Sequence, residues 1–145
     1  MANASPATLL SRRFPSKRAF ITGAASGLGL AMAQLLAREG WTLGVLDLDR
    51  EALESAVTRL RASGAANVSA YPGDVAGHEF VAAAVTGFSQ ANQGLDVMVN
   101  NAGVAVAGAV EATPVDDWNW IVGINLLGVV WGCRTVLPVM KRQGS

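Results

Sequence analysis

The stretch Thr22-Gly23-Ala24-Ala25-Ser26-Gly27-Leu28-Gly29 has the residue types and spacing to hold a phosphate. It follows a short apolar run, Ala19-Phe20-Ile21, and opens an apolar helical pattern that continues to Glu39. A strand, a glycine turn and a helix start, in that order, aim unpaired N–H groups and about half a positive charge at an anion. Gly23 suits the tight turn out of the strand, and Gly27 suits a close backbone approach to a pyrophosphate. Gly29 lets the helix pack against the strand. Asp47 ends the second apolar run, 24 residues after Gly23. In a strand–helix–strand unit its carboxylate stands beside the adenine-side ribose and accepts from both hydroxyls. It also repels a 2′-phosphate, so the expected cofactor is NAD rather than NADP. The plainer reading makes Asp47 only the start of the next loop, a place where Asp49 serves better as a helix cap.

Two further groups fall at the same sheet edge. Asp74-Val75 follows the third apolar run, where ligands of open α/β sheets bind. The carboxylate can take a proton from an adenine amino group while Val75 packs on the ring; an ordinary turn aspartate is the alternative. Asn100-Asn101-Ala102-Gly103 follows the fourth run. Two asparagines, a small residue and a glycine allow a tight bend, and their amides can tie the strand end to its neighbour.

The elements needed to position these residues alternate strand and helix, which implies a parallel sheet covered on both faces. Strands are expected at Arg18–Thr22, Thr42–Leu46, Val68–Tyr71 and Leu95–Asn100. The first helix spans about Gly27 to Glu39, with Leu28, Ala31, Met32, Leu35 and Leu36 inward and Gly40 at its end. Asp49 caps a second helix that buries Leu53, Ala56, Val57 and Leu60 and stops at Ser63-Gly64. A third, Gly77 to about Ala91, turns Phe80, Val81, Ala84, Val85 and Phe88 inward. Thr113-Pro114 then reads as the start of a last helix reaching about Arg142, bent where Gly123 and Gly128 weaken it.

Composition narrows the class. A length of 145 residues is that of one domain. Only 15% of residues are charged while 51% are hydrophobic, as expected of a piece that buries itself against something larger. Eleven basic and eleven acidic residues cancel, which argues against a nucleic-acid or anionic-membrane surface. The single Cys133 fits a reducing, cytoplasmic setting and is expected to be buried and inert. With one cysteine and one histidine, His78, no metal site is expected. Residues 1–16 read as a mobile tail and 17–145 as the domain. The apolar run from Ile121 to Val139 is interrupted by Asn125, Arg134 and Pro138, and reads as a buried helix rather than a span.

The order and spacing of Thr22-Gly-x-x-x-Gly-x-Gly29, Asp47, Asp74-Val75, Asn100-Asn101-Ala-Gly103 and Asn125 resemble the short-chain dehydrogenase/reductase family, from Arg18 onward. The resemblance implies a Rossmann-type doubly wound sheet and NAD(P)-dependent hydride transfer on a small alcohol or carbonyl substrate. It also implies homo-oligomers formed through the last helix. By the same resemblance Ser26 and Leu28 approach the pyrophosphate and nicotinamide ribose, Asn101 and Ala102 belong to the cofactor-binding element, and Asn101 lies against the adenine-side ribose. Asn125 takes the place of the catalytic asparagine, which holds a water linked to the active-site lysine; a polar residue that merely bends a helix is the alternative.

Two positions depart from the family pattern. Ala76 replaces a capping threonine or serine. More seriously, the tyrosine–lysine pair is missing: the single tyrosine is Tyr71, and the residue four further on is Val75. The chain therefore reads as the cofactor-binding, amino-terminal part of a longer enzyme, ending after the helix that follows strand four, with later strands absent. By itself it is expected to be inactive and prone to associate through an unpaired fourth strand. A non-catalytic protein that binds a dinucleotide or a family partner is the rival, and a Rossmann methyltransferase a more distant one.

Overall fold

A computed structural model describes residues 8–144; residues 1–7 of the expected tail, and Ser145, lie outside the described residues. In chain order the elements are α1 (Leu9–Arg13), β1 (Arg18–Thr22), α2 (Gly27–Arg38), β2 (Thr42–Asp47), α3 (Arg50–Ala62), β3 (Asn67–Pro72), α4 (His78–Ala91), β4 (Val97–Val99), α5 (Val115–Val122) and α6 (Gly128–Gln143). A 3₁₀ turn at Val110–Ala112 precedes α5, and a π-helical segment, Gly123–Leu127, joins α5 to α6. The irregularity thus falls between the two glycines that weaken the helix.

The four strands form one parallel sheet in the order β3-β2-β1-β4. The chain steps outward from β1 to β3 and then returns to the far side of β1. That reversal opens a crevice above the carboxyl ends of β1 and β4, where open α/β sheets take their ligands. Alternation along β1 divides the core. Ala19 and Ile21 face α2 and α3 with Leu43, Val45, Leu53 and Leu60, while Phe20 faces α4 and α6 with Val85, Phe88 and Val136. Gly44 leaves room on that second face for the rings of Phe20 and Phe88, which meet edge to face at 5.6 Å.

The inward faces of α3 and α4 are those expected, with Phe80 only partly buried. The face of α2 is not. Its buried residues are Gly29, Leu30, Ala33 and Ala37, whereas Leu28 is 70% and Leu35 60% exposed. Ala31 is exposed too, and Met32 and Leu36 are half-buried. The buried stripe is mostly small, with Gly29, Ala33 and Ala37 beside Leu30, while Leu28 and Leu35 turn outward.

The last helix obeys the same rule. Its contact stripe is Ile124, Gly128, Gly132 and Val136, and a Cβ on Gly132 would run into Asn100 and lie 2.9 Å from Met98 Cε. Because the stripe is narrow, the expected buried helix is corrected: Val115–Gln143 runs for 29 residues with only 22% of its most apolar window buried. By length and composition alone this helix could cross a membrane. Cys133 is likewise exposed, not buried, and its sulfur accepts from Asn100 Nδ2 at 3.5 Å. Thr113 does not cap α5; Pro114 precedes the first turn, and the Thr113 hydroxyl donates to the Ala109 carbonyl at 2.9 Å.

Strand four is shorter than its apolar run, because among the described residues it pairs only with β1, through Val97, Met98 and Val99. Side chains hold the residues before it. Gln143 Oε1 accepts from Leu95 N at 2.8 Å and Gln143 Nε2 donates to Leu95 O at 3.1 Å. Arg18 forks onto Asp96 at 2.7 and 3.0 Å, and that carboxylate raises the guanidinium pKa above its usual value.

The tail expected through residue 16 is corrected from Thr8 onward. Thr8 caps α1 by accepting from Ser11 N, and Ser11 is buried. One oxygen of Glu39 accepts from Thr8 N at 3.2 Å, from Thr8 Oγ1 at 3.1 Å and from the Ser11 hydroxyl, which in turn accepts from the indole N–H of fully buried Trp41 at 2.8 Å. The Ser11 hydroxyl, with Thr8 and the charge of Lys17, holds the Glu39 carboxyl below the ordinary carboxylate value. A depressed folded-state pKa stabilises at neutral pH and loses that contribution as pH falls from the ordinary value of 4.5 through the depressed one. Amide exchange in residues 8–14 should therefore quicken in that window while the sheet stays protected, and Glu39→Gln should remove the pH dependence. Simultaneous loss of protection in α1 and the sheet would show that Glu39 is not the tether.

Candidate functional site

The strand ends above the crevice are stitched together by their own backbone and three polar side chains. The Thr22 hydroxyl accepts from Asn101 N at 3.0 Å and Ala102 N at 3.1 Å, joining β1 to the segment after β4. Asn101 Nδ2 donates to the carbonyls of Thr22 and Gly23, both at 3.1 Å. On the other side Ala24 N donates to the Leu46 carbonyl at 3.2 Å, and Ala25 N to Asp47 Oδ2 at 2.9 Å. Gly73 N reaches the Asp47 carbonyl at 2.8 Å, which brings in the loop after β3. The asparagine pair thus divides its work, Asn101 tying β4 to β1 while Asn100 reaches α6.

These ties frame a cleft of about 330 Å³. Gly23, Ser26, Gly27, Leu28, Asp47, Asp74, Val75, Asn101, Ala102 and Gly103 all line it. Gly29 lies beneath instead, where a Cβ would collide with the Gly23 carbonyl oxygen. Gly23 turns with φ +64°, and a Cβ there would come within 2.8 Å of Ala102 Cα. Gly27 also has a left-handed φ, +52°, but a Cβ on it would meet nothing within 4 Å, so open space lies above it. Ser26 makes no side-chain cap bond, leaving the first-turn N–H groups of α2 uncapped.

Strand order sets the sequence of chemistries across the cleft. At the β3 and β2 end stand Asp74 and Asp47; at β1 stands the uncapped helix end; beyond β4 the wall is Ala102, Gly103, Val104 and Ile124. Among the described residues no lysine or arginine lines it, and the donors it offers an anion are the uncapped backbone N–H groups of α2 and the Ser26 hydroxyl. Asp74 Oδ1 accepts from Ala76 N at 2.9 Å and Val75 is buried against Gly128. Two carboxylates, a helix N-terminus and an apolar end fit an elongated ligand with hydroxyl or amino donors, an anionic middle and a flat apolar head.

Asn125 does not line the cleft. Its neighbour Ile124 does, and its own carboxamide pairs with both backbone groups of Val104, accepting from N and donating to O at 2.8 Å each. Tyr71 packs on Phe20 with ring centroids 5.3 Å apart, burial pushes its hydroxyl pKa up, and it lines no part of the cleft. Sequence reasoning did not reach Leu46, Leu48, Gly73, Val104 and Ile124, which complete the wall. Each lies within two residues of an expected site residue, so adjacency to the strand ends was the available signal.

Comparison with known proteins agrees with this architecture. The short chain dehydrogenase family model matches residues 17–145. A 2-(R)-hydroxypropyl-CoM dehydrogenase of Xanthobacter autotrophicus is 37% identical over 133 residues, covering 90% of this chain and 53% of that protein. A CLA biosynthesis dehydrogenase/reductase of Lactiplantibacillus plantarum is 35% identical over 130 residues, covering 90% and 45%. Among solved structures, a short-chain dehydrogenase/reductase from Burkholderia phymatum in complex with NAD superposes with a TM-score of 0.85 at 37% identity, covering 89% of this chain and 46% of that one. The chain thus spans about half the length of the curated relatives it matches. With its parallel sheet, glycine turn and stitched strand ends, it belongs to the short-chain dehydrogenase family, of which it carries the amino-terminal portion.

Proposed function

We propose that this chain is the cofactor-binding part of a short-chain oxidoreductase that uses NAD in preference to NADP and acts on a small alcohol or carbonyl compound. The observation that carries the reading is the order of chemistries in the cleft: carboxylates, helix end, apolar wall. Asp47 takes the adenine-side ribose hydroxyls, Asp74 and Val75 the adenine, and Ser26, Gly27 and Leu28 the pyrophosphate and nicotinamide ribose, with Gly29 supporting the turn from below. Asn101, Ala102 and Gly103 line the ribose side. When bound, the nicotinamide supplies or takes the hydride. The relatives named above are a dehydrogenase and a dehydrogenase/reductase, and one solved neighbour holds NAD.

The proton in such a reaction would come from a tyrosine–lysine pair that this chain does not contain, so residues 1–145 by themselves should not turn over. A second copy covering the outer face of the last helix, where Leu126 is 57% and Leu137 49% exposed, is the partner we assign to it. We assign the protein a cytoplasmic setting, and its eleven basic and eleven acidic residues cancel, leaving no net positive charge to draw nucleic acid or an anionic membrane surface.

Calorimetry tests cofactor choice. NAD should bind at least about tenfold tighter than NADP, a gap of about 1.4 kcal/mol. Asp47→Ser combined with Leu48→Arg should narrow or invert that gap; equal affinities in the unmodified protein would remove Asp47 from the ribose.

Asn125 is tested in a protein that also carries the tyrosine–lysine pair. Its side-chain groups already hold Val104, so its part in any proton path falls to geometry: it fixes the wall to the π-helical segment in which it sits. Asn125→Leu should lower turnover at least about tenfold and cofactor affinity far less, a loss confined to the transition state. Unchanged turnover with lowered stability would reduce Asn125 to a helix-bending amide.

A further inference from the structure

Both carboxylate oxygens of Asp47 accept backbone N–H groups. Oδ2 takes that of Ala25, inside the glycine turn, at 2.9 Å, and Oδ1 takes that of Asp49 at 3.2 Å. The preceding turn residue, Ala24, donates to the Leu46 carbonyl at 3.2 Å. Two consecutive turn residues therefore hang from the end of β2, one on backbone and one on the Asp47 side chain. The turn that carries them has little rigidity of its own, since Gly23 and Gly27 on either side of them sit at φ +64° and +52° with no side chain to lock them. Ser26 adds no cap bond. The direction in which the first N–H groups of α2 point is then set by bonds from outside the turn.

We propose that Asp47 is a positioning residue for the phosphate cradle as well as the acceptor for the ribose, so that one carboxylate couples ribose selectivity to phosphate binding. The proposal deepens, and rests on, the ribose role assigned to Asp47 above. A carboxylate has about four lone-pair sites, of which the two backbone donors use two, leaving room for two hydroxyls. Ala25 N–H, held this way, is withdrawn from the anion, and the N–H groups of Gly27 and Leu28 are presented to it. Any substitution of Asp47 meant to change cofactor preference then also loosens the cradle, and the NADP-directed double variant should gain less for NADP than it loses for NAD.

The test compares Asp47→Ala with Asp47→Asn in the intact protein, following amide hydrogen exchange at Ala25 and titrating with inorganic pyrophosphate and with NAD. In Asp47→Ala, exchange at Ala25 should quicken and pyrophosphate binding weaken, each by about fivefold or more, the factor one net hydrogen bond supplies. In Asp47→Asn the amide oxygen still accepts from Ala25, so both should stay near the unmodified values while NAD affinity falls. Unchanged exchange and pyrophosphate binding in Asp47→Ala, with NAD affinity lost, would confine Asp47 to the ribose and overturn the proposal. So would an Asp47→Asn turn as loose as that of Asp47→Ala. If the unmodified protein binds NAD no better than NADP, the ribose role fails separately, and the coupling with it, whatever the exchange at Ala25.

Discussion

Close approach of helix to sheet is the constraint on which this structure depends. A parallel sheet needs cover on both faces, and here two of the covering helices present stripes in which glycine and alanine stand with single larger residues. In α2 the stripe is Gly29, Leu30, Ala33 and Ala37; in the last helix it is Gly128 and Gly132, flanked by Ile124 and Val136. Larger residues at those positions would lift the helix by the width of a side chain. For α2 that would move the helix end away from the Gly23 carbonyl and open the floor of the cleft. For the last helix it would part Val75 from Gly128 and carry Ile124 out of the wall.

The cleft follows from the same packing together with the strand order. Once β4 returns beside β1, three strand ends and a helix end meet at one edge, and the hydroxyl of Thr22, the amide of Asn101 and the carboxylate of Asp47 join them. These groups bond to backbone rather than to one another. Their effect is to fix the turn that follows β1 with respect to both neighbouring strands, leaving the outer faces of Gly27, Ser26 and Leu28 toward the cleft.

The strand–helix order and most of the cleft could be read from the sequence because turn chemistry is local: a glycine needing left-handed φ, an aspartate at a strand end and an asparagine at a bend declare themselves without tertiary information. The inward faces of α3 and α4 were legible for a related reason, since ordinary apolar spacing governs helices packed at ordinary distance. The face of α2 was not. Leu28 and Leu35 offered the stronger apolar pattern, but the face that packs on the sheet, a tertiary fact, is the one carrying Leu30, Ala33 and Ala37. Cys133 and the last helix misled in the same way, because an apolar run records hydrophobicity and not what covers it. Composition likewise hid α1, whose single turn exists through Glu39 and Trp41, distant in sequence.

The two carboxamides that fasten the last helix have a consequence for how the fold responds to its medium. Gln143 pairs with both backbone groups of Leu95, and Asn125 with both of Val104, so the helix is latched before and after β4 by neutral bonds. The edge of the sheet where Gln143 holds Leu95 also carries charged fastenings: Arg18 pairs with the adjacent Asp96, and the Lys17 ammonium donates to the Glu39 carbonyl. Salt screens the second kind of fastening and leaves the first untouched. As ionic strength rises the Arg18–Asp96 pair weakens while the two carboxamide latches hold, and the helix that carries Ile124 into the cleft keeps its place.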